Sequence, residues 1–270
     1  GAPNRVGCPA ASGGGVMTLL AMEGGPAPTR WRPVPTYFGR LAEEGVSSAV
    51  VSPARFAGSG LTGAALRGAR HVPADTLEQR VNAALRELRA GTPVVYLYWS
   101  EIDHSGHAHG VASDAWIGQV EQFDAGLAML MRGLPSGVRV VLTADHGMIN
   151  VEPDRIIDVA STPVLREGVR IVAGETRAAH VHAEEGRADE VEERWRETLG
   201  GSSGVLSRAQ MPALIGEGRG ASVIGDLLVL ARGRGGVVDS RTQSAAAIAM
   251  PGIHGSVTPT EMRIPVVTLS

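Results

Sequence analysis

The sequence contains one cysteine, Cys8, among its 270 residues. A single cysteine excludes an internal disulfide framework and any zinc site built from cysteine thiolates, and it fits a reducing compartment such as the cytoplasm. Any metal site in this chain must therefore be built from histidine, aspartate or glutamate side chains.

Long apolar runs and clusters of one charge are also missing. No stretch approaches the roughly 18 consecutive apolar residues of a membrane-spanning helix, and the first thirty residues lack the regions of a signal peptide. The net charge is −3, its signs are interleaved, and no basic run is present that would follow a phosphate backbone. We therefore expect a soluble, cytoplasmic protein that binds neither a membrane nor a nucleic-acid polymer; its oligomeric state is not indicated.

The chain does have enough apolar residues for a substantial core, with 43% hydrophobic content. Residues 1–30 are rich in glycine and proline and are expected to be irregular. Strand-like and helix-like segments alternate through residues 31–270, which favours one domain with a mostly parallel sheet covered by helices.

Local signals place several of these elements. Asp75 followed three residues later by Glu78 matches a capping box at the start of a helix, and Ser113 can cap the next one. The apolar runs at 93–99 and 138–143 have strand length and predict two buried strands.

Carboxylates and imidazoles follow these strands in three clusters. Asp103 and His107 are four positions apart, Asp145 and His146 are adjacent, and His254 stands between two glycines. The carboxyl ends of parallel strands open onto one crevice, so we expect the clusters to meet there. Carboxylate oxygen with imidazole nitrogen suits Zn²⁺ well and Mn²⁺ acceptably. Two such ions about 3.5–4 Å apart can bridge a phosphoryl group.

Other histidines carry weaker signals. His104 and His109 flank the first cluster and are interpreted as exposed loop residues, with contact to substrate as the alternative. His180 and His182 alternate along a predicted strand without a neighbouring carboxylate, so they are interpreted as ordinary strand residues.

Taken together, the motifs resemble the type I phosphodiesterase and nucleotide pyrophosphatase family of the alkaline phosphatase superfamily. The resemblance rests on Asp103-x-x-Gly106-His107, on the stretch Thr143 to Met148, and on the stretch Gly252 to Ser256, and it covers most of the chain from about residue 30. It implies an alkaline-phosphatase-like three-layer α/β/α sandwich with a mostly parallel central sheet, of which the first strand or strands are missing here.

The resemblance also implies roles for individual residues. Asp103, His107 and His254 would hold one zinc ion, and Asp145 and His146 would hold the other. Two Zn²⁺ ions are thus the expected cofactors, with Mn²⁺ as an alternative.

Two residues of the family pattern are not found: an aspartate after the first strand, and a threonine or serine nucleophile at the helix start that follows it. Because both belong before every motif found here, we expect the sequence to be N-terminally incomplete, with the nucleophile upstream of Gly1. The printed chain alone is then expected to be nearly inactive.

The resemblance implies a hydrolase of small phosphate esters, most closely nucleotide phosphodiesters or pyrophosphates, with a covalent intermediate on the nucleophile. A phosphomonoesterase of the alkaline phosphatase type is one alternative. A cofactor-independent phosphoglycerate mutase is another, although the large inserted domain that it needs is not evident. From a different class, the chain could be a non-catalytic module that binds metal and nucleotides.

Overall fold

The structure is a computed structural model that describes residues 7–9, 16–18, 27–218 and 223–270. Its strands are β1 (Gly7–Pro9), β2 (Val16–Thr18), β3 (Ser48–Ser52), β4 (Arg70–Pro73), β5 (Val94–Leu97), β6 (Val140–Thr143), β7 (Ile149–Asn150), β8 (Ile156–Asp158), β9 (Val169–Glu175), β10 (Ala178–Ala183), β11 (Ser203–Ser207), β12 (Leu227–Ala231), β13 (Gly236–Val238), β14 (Gly252–Ile253) and β15 (Val266–Leu269). Its α-helices are α1 (Pro28–Trp31), α2 (Tyr37–Glu43), α3 (Gly60–Ala65), α4 (Leu77–Arg89), α5 (Glu101–His109), α6 (Asp114–Gly133), α7 (Pro163–Arg166), α8 (Ala188–Leu199), α9 (Pro212–Ile215), α10 (Ala245–Ile248) and α11 (Pro259–Met262).

The chain divides into two compact units. The first comprises Gly1–Leu19, Gly106–Val111 and Ala144–Ile264. The second comprises Leu20–Ser105, Ala112–Thr143 and Pro265–Ser270. Helix α5 crosses the division at Gly106.

The second unit contains a parallel sheet in the order β4-β3-β5. Every residue of β3 is buried. Val51 of that strand packs in a core with Val81 and Leu85 of α4 and with Leu130 of α6. The two helices approach closely at Gly126, where an added Cβ would lie 2.8 Å from the Leu77 side chain. Strand β6 pairs in antiparallel fashion with β15.

The first unit is built on an antiparallel sheet in the order β11-β12-β10-β9. Helix α8 covers one face, since Val191, Trp195 and Leu199 join the same core as Val181 and Val229. Trp195 is fully buried and its indole N–H donates to the carbonyl oxygen of Leu165 at 3.1 Å, which satisfies the one polar atom of that ring. Three short pairs complete the described part of this unit: β13 with β8 in parallel, and β14 with β7 and β1 with β2 in antiparallel fashion.

Several predictions of local structure are confirmed, and others need correction. Ser113 caps α6 by accepting from the Trp116 N–H at 3.2 Å. The capping box lies one residue later than predicted, at Thr76 and Gln79, because the Asp75 carboxylate instead accepts from the Ala54 N–H at 2.9 Å. The two strands predicted to be buried are only partly so. In β5 every residue is half-buried except the exposed Tyr96, and β6 alternates between half-buried and exposed residues. The buried strand of the parallel sheet is β3.

The predicted irregular segment at 1–30 lies mostly outside the described residues. Among the residues that the structure describes, no helix has the length and apolarity needed to cross a membrane.

Candidate metal centre

Helix α5 carries the first predicted cluster. Asp103 and His107 are four residues apart on it, so their side chains project from the same face. His104 and His109 are exposed, as predicted, but they lie on this helix and not in a loop. His107 is only 8% exposed.

The end of this helix is tightly docked against the β7–β14 pair. Gly252 of β14 lies so close that an added Cβ would stand 2.1 Å from the Gly106 carbonyl oxygen. Asn150, opposite Gly252 in the pair, accepts from the Val111 N–H at 2.7 Å and donates to the Val111 carbonyl at 2.9 Å. His107 is thereby held in one position within the first unit.

The His107 ring is oriented by the same strand. Its Nδ1 lies 2.8 Å from the Gly252 carbonyl oxygen. A carbonyl only accepts, so Nδ1 carries the proton and Nε2 carries the lone pair. This is the tautomer and the backbone contact that metal-ligating histidines commonly have.

The second predicted cluster lies in the turn between β6 and β7. The His146 Nδ1 donates to the Gly147 carbonyl oxygen at 2.9 Å, which again leaves the lone pair on Nε2. On that side of the ring the Asp145 Oδ1 lies 3.6 Å from His146 Nε2, and the Asp145 side chain is 85% exposed. A tetrahedral zinc ion holds neighbouring ligand atoms roughly 3.3 Å apart, so this separation is close to what one ion requires.

His254 follows β14 in a loop that packs on the turn between β9 and β10. Gly255 has a φ of +126°, which favours glycine, and an added Cβ there would meet Glu175, Ala178 and Arg177 within 3.7 Å. Burial, together with the nearby His146 and His107 rings, lowers the pKa of His254 to about 4. The imidazole is therefore neutral at pH 7, which is the form that binds a metal.

Three histidines meet in the first unit. The His146 and His254 rings are stacked with centroids 3.5 Å apart and planes 17° apart, and the His107 ring lies 5.1 Å from that of His254. Segments that are far apart in the sequence thus bring together His107, Asp145, His146 and His254. This is a donor set of imidazoles and a carboxylate, and it fits Zn²⁺.

Two features of this centre were not predicted from the sequence. Glu261 lies behind the histidines in a buried ion pair with Arg177, and Gly147 is pressed against the Thr260 carbonyl oxygen. Both are contacts between distant segments, and the sequence carries no local pattern for them.

The fold and this cluster define the class of protein: an α/β domain with a histidine and carboxylate group able to hold a divalent metal ion. The model of the type I phosphodiesterase / nucleotide pyrophosphatase family matches residues 22–256, and the chain belongs to that family.

Individual relatives agree with this membership. The human bis(5'-adenosyl)-triphosphatase ENPP4 is 33% identical over 100 residues, a match that covers 32% of this chain and 21% of that protein. Murine ectonucleotide pyrophosphatase / phosphodiesterase 5 has a similar structure, with a TM-score of 0.72 at 17% identity over 96% of this chain and 70% of that one. Phosphonoacetate hydrolase from Sinorhizobium meliloti 1021 has a TM-score of 0.71 at 18% identity over 98% of this chain and 73% of that one. These similarities confirm the alkaline-phosphatase-like α/β fold.

Proposed function

We propose that the protein is a two-metal hydrolase of phosphate esters. The convergence of His107, His146 and His254 carries this proposal, because three imidazole rings brought together from distant segments form a donor set that suits a divalent ion. Zn²⁺ is the proposed ion and Mn²⁺ the alternative. When bound, such ions would polarise the phosphoryl oxygens and activate the attacking oxygen.

The residues divide between two ions in this proposal. Asp103 and His107, on one face of α5, would bind one ion with His254. Asp145 and His146 would bind the other. The 3.5 Å stack of His146 on His254 places the two proposed ligand sets next to each other.

The chain's own groups prepare this site for metal. Backbone carbonyl oxygens of Gly252 and Gly147 keep the proton of His107 and His146 on Nδ1. Each ring is thereby presented in the orientation and tautomer that a divalent ion would need, without a cost of reorganisation on binding.

Nucleotide phosphodiesters or pyrophosphates are the proposed substrates. Family membership supports this choice, and a related structure, an inactive variant of murine ectonucleotide pyrophosphatase / phosphodiesterase 5, is a complex with AMP. The nucleophile is proposed to be a threonine or serine that the motifs of this sequence do not include. The single Cys8 supports a proposed reducing, cytoplasmic location.

The test is to measure metal content and ester hydrolysis together. The 270-residue chain and a version extended at its N-terminus are each loaded with zinc. Each is then assayed with a chromogenic phosphodiester and the matching monoester. We expect the longer protein to hold about two zinc ions and to cleave the diester faster than the monoester. We expect the 270-residue chain to hydrolyse either ester hardly at all.

Other outcomes select the alternatives. Preferential cleavage of the monoester would favour a phosphomonoesterase. Zinc and nucleotide binding by both versions, with no cleavage of either ester, would refute the hydrolase and favour the non-catalytic binding module.

A further inference from the structure

We propose that the buried ion pair between Arg177 and Glu261 positions the metal-binding histidines, because Glu261 joins the turn that carries His146 to the loop that carries His254. The inference rests on the proposed metal site, and it assigns Glu261 and Arg177 as positioning residues. All four residues belong to the first unit.

The pair itself is buried and has a defined geometry. The Arg177 and Glu261 side chains are 0% and 1% exposed. Arg177 Nε donates to Oε1 at 3.1 Å and Nη2 donates to Oε2 at 2.7 Å, while Nη1 donates to the Gly235 carbonyl oxygen at 2.6 Å. A bidentate pair of this kind fixes direction as well as distance.

The Glu261 carboxylate also closes the loop that follows His254. Its Oε1 accepts from the Ser256 N–H at 3.0 Å, and its Oε2 accepts from the Thr258 hydroxyl. Burial acts to raise the pKa of Glu261, but the hydrogen bonds from Arg177, Thr258 and Ser256 outweigh it, and the pKa lies below its usual range. The carboxylate is therefore ionised and fully engaged, so it serves as support and is not proposed as a metal ligand.

The backbone of the same residue holds the other histidine. The Glu261 carbonyl oxygen accepts from the Gly147 N–H at 2.7 Å. Gly147 directly follows His146, and an added Cβ there would stand 2.0 Å from the Thr260 carbonyl oxygen. Glu261 thus contacts the His254 loop through its side chain and the His146 turn through its backbone.

Arg177 fixes where this junction lies in the unit. It occupies the turn between β9 and β10, and a Cβ added at Gly255 would lie 3.7 Å from its Cβ. The rigid antiparallel sheet is thereby connected to the loop of His254. If the pair is lost, we expect the His146 and His254 rings to shift relative to each other while the sheet persists.

Zinc affinity measured on folded protein separates this role from a general structural one. In the Glu261→Gln variant the volume is kept but the charge is lost, which leaves Arg177 buried and unneutralised. The double variant Arg177→Met with Glu261→Met replaces the pair by apolar side chains of similar volume, a change that often preserves stability. Asp239→Asn is the matched control, because Asp239 is also fully buried in an ion pair of this unit, with Arg241.

Zinc affinity is determined by competition with a chelating dye, and the folded fraction by circular dichroism in the same samples. We expect zinc affinity to fall about 10- to 100-fold in both Glu261 variants and less than about threefold in the control. The double variant is expected to retain its melting temperature while it loses affinity.

Unchanged zinc affinity in the folded double variant would overturn the inference, as would a wild-type protein that binds no zinc. Zinc binding by the wild type without ester hydrolysis would refute the proposed hydrolase alone, and the affinities of the variants would still decide the positioning role.

Discussion

Single glycines decide how closely the segments of the candidate metal centre approach one another. An alanine Cβ at Gly147 would lie 2.0 Å from the Thr260 carbonyl oxygen, and the Gly147 N–H donates to the neighbouring Glu261 carbonyl. Neither backbone atom can move without moving helix α11. The small size of residue 147 is therefore a requirement of the site.

We predict that Gly147→Ala destabilises the protein by about 1–3 kcal/mol, the usual cost of overpacking. Urea denaturation of the metal-free protein measures this. Gly201→Ala is the control, because an added Cβ there meets nothing within 4 Å, and we expect a change below about 0.5 kcal/mol. Equal stability of the two variants would show that the turn of His146 is not pressed against α11.

Burial determines the pKa of His180. It lies on β10, and its Nδ1 is buried with no hydrogen-bond partner in the part of the chain that the structure describes. Burial, followed by the influence of His182, lowers the pKa of His180 from 6.5 to about 4. Burial also lowers the pKa of His182. Arg170 and Arg208 lower it further, and Asp226 acts to raise it.

This depressed pKa predicts a loss of stability in acid. Above pH 6.5 the ring is neutral in both the folded and unfolded chain, so it has no effect. As the pH falls from 6.5 towards 4, the unfolded chain gains a proton that the folded protein does not, and we expect a loss approaching about 3 kcal/mol. Urea denaturation between pH 4 and 8 should show a shallower pH dependence for His180→Gln than for the wild type. His104→Gln, at an exposed site, should leave the slope unchanged.

At the scale of elements, helix α4 shows how a cap can be misplaced by one residue. The sequence predicted a capping box at Asp75 and Glu78, whereas the structure forms it at Thr76 and Gln79. The Thr76 hydroxyl accepts from the Gln79 N–H at 3.2 Å, and the Gln79 side chain accepts from the Thr76 N–H at 3.1 Å. This arrangement gives hydrogen-bond partners to two backbone N–H groups at the start of the helix.

We predict that Thr76→Ala costs about 1 kcal/mol of stability, because it removes the cap of α4. Glu78→Ala should cost only a few tenths of a kcal/mol, through the loss of a favourable charge in the first turn. Thermal unfolding of both variants compares them directly. A larger loss of stability for Glu78→Ala than for Thr76→Ala would favour the capping box predicted from the sequence, Asp75 with Glu78.

Features set by local contacts could be predicted from the sequence, whereas contacts between distant segments could not. The helices α4 and α6 and the strand β10 were predicted because their patterns and caps are local. The ligand clusters were recognisable because each is a short motif beside an apolar run. The burial of β5 and β6 was overestimated, because an apolar run does not show which segments of the folded chain cover it. The Arg177–Glu261 pair spans 84 residues of sequence and could not be predicted from any window.

At the scale of the whole molecule, the proposed ligands come from segments that are close only after folding. His107 ends α5, His146 lies between β6 and β7, and His254 follows β14. In the unfolded chain these imidazoles are separated by long stretches of backbone, so a bound ion would favour the folded state almost exclusively. Metal affinity then appears directly as stability.

We therefore predict that Zn²⁺ raises the melting temperature of the protein in proportion to the logarithm of its free concentration. At a hundredfold excess over the dissociation constant, the stabilisation should be about 2.7 kcal/mol. For a chain of this size that corresponds to a rise of roughly 5–10 °C. Mg²⁺ should have little effect, because it prefers oxygen ligands to imidazoles. His254→Ala should strongly reduce the zinc-dependent rise, because it removes a proposed ligand of one ion, and His104→Ala on the exposed face of α5 should preserve it. A zinc response of wild-type size in the His254 variant would show that His254 does not bind the ion.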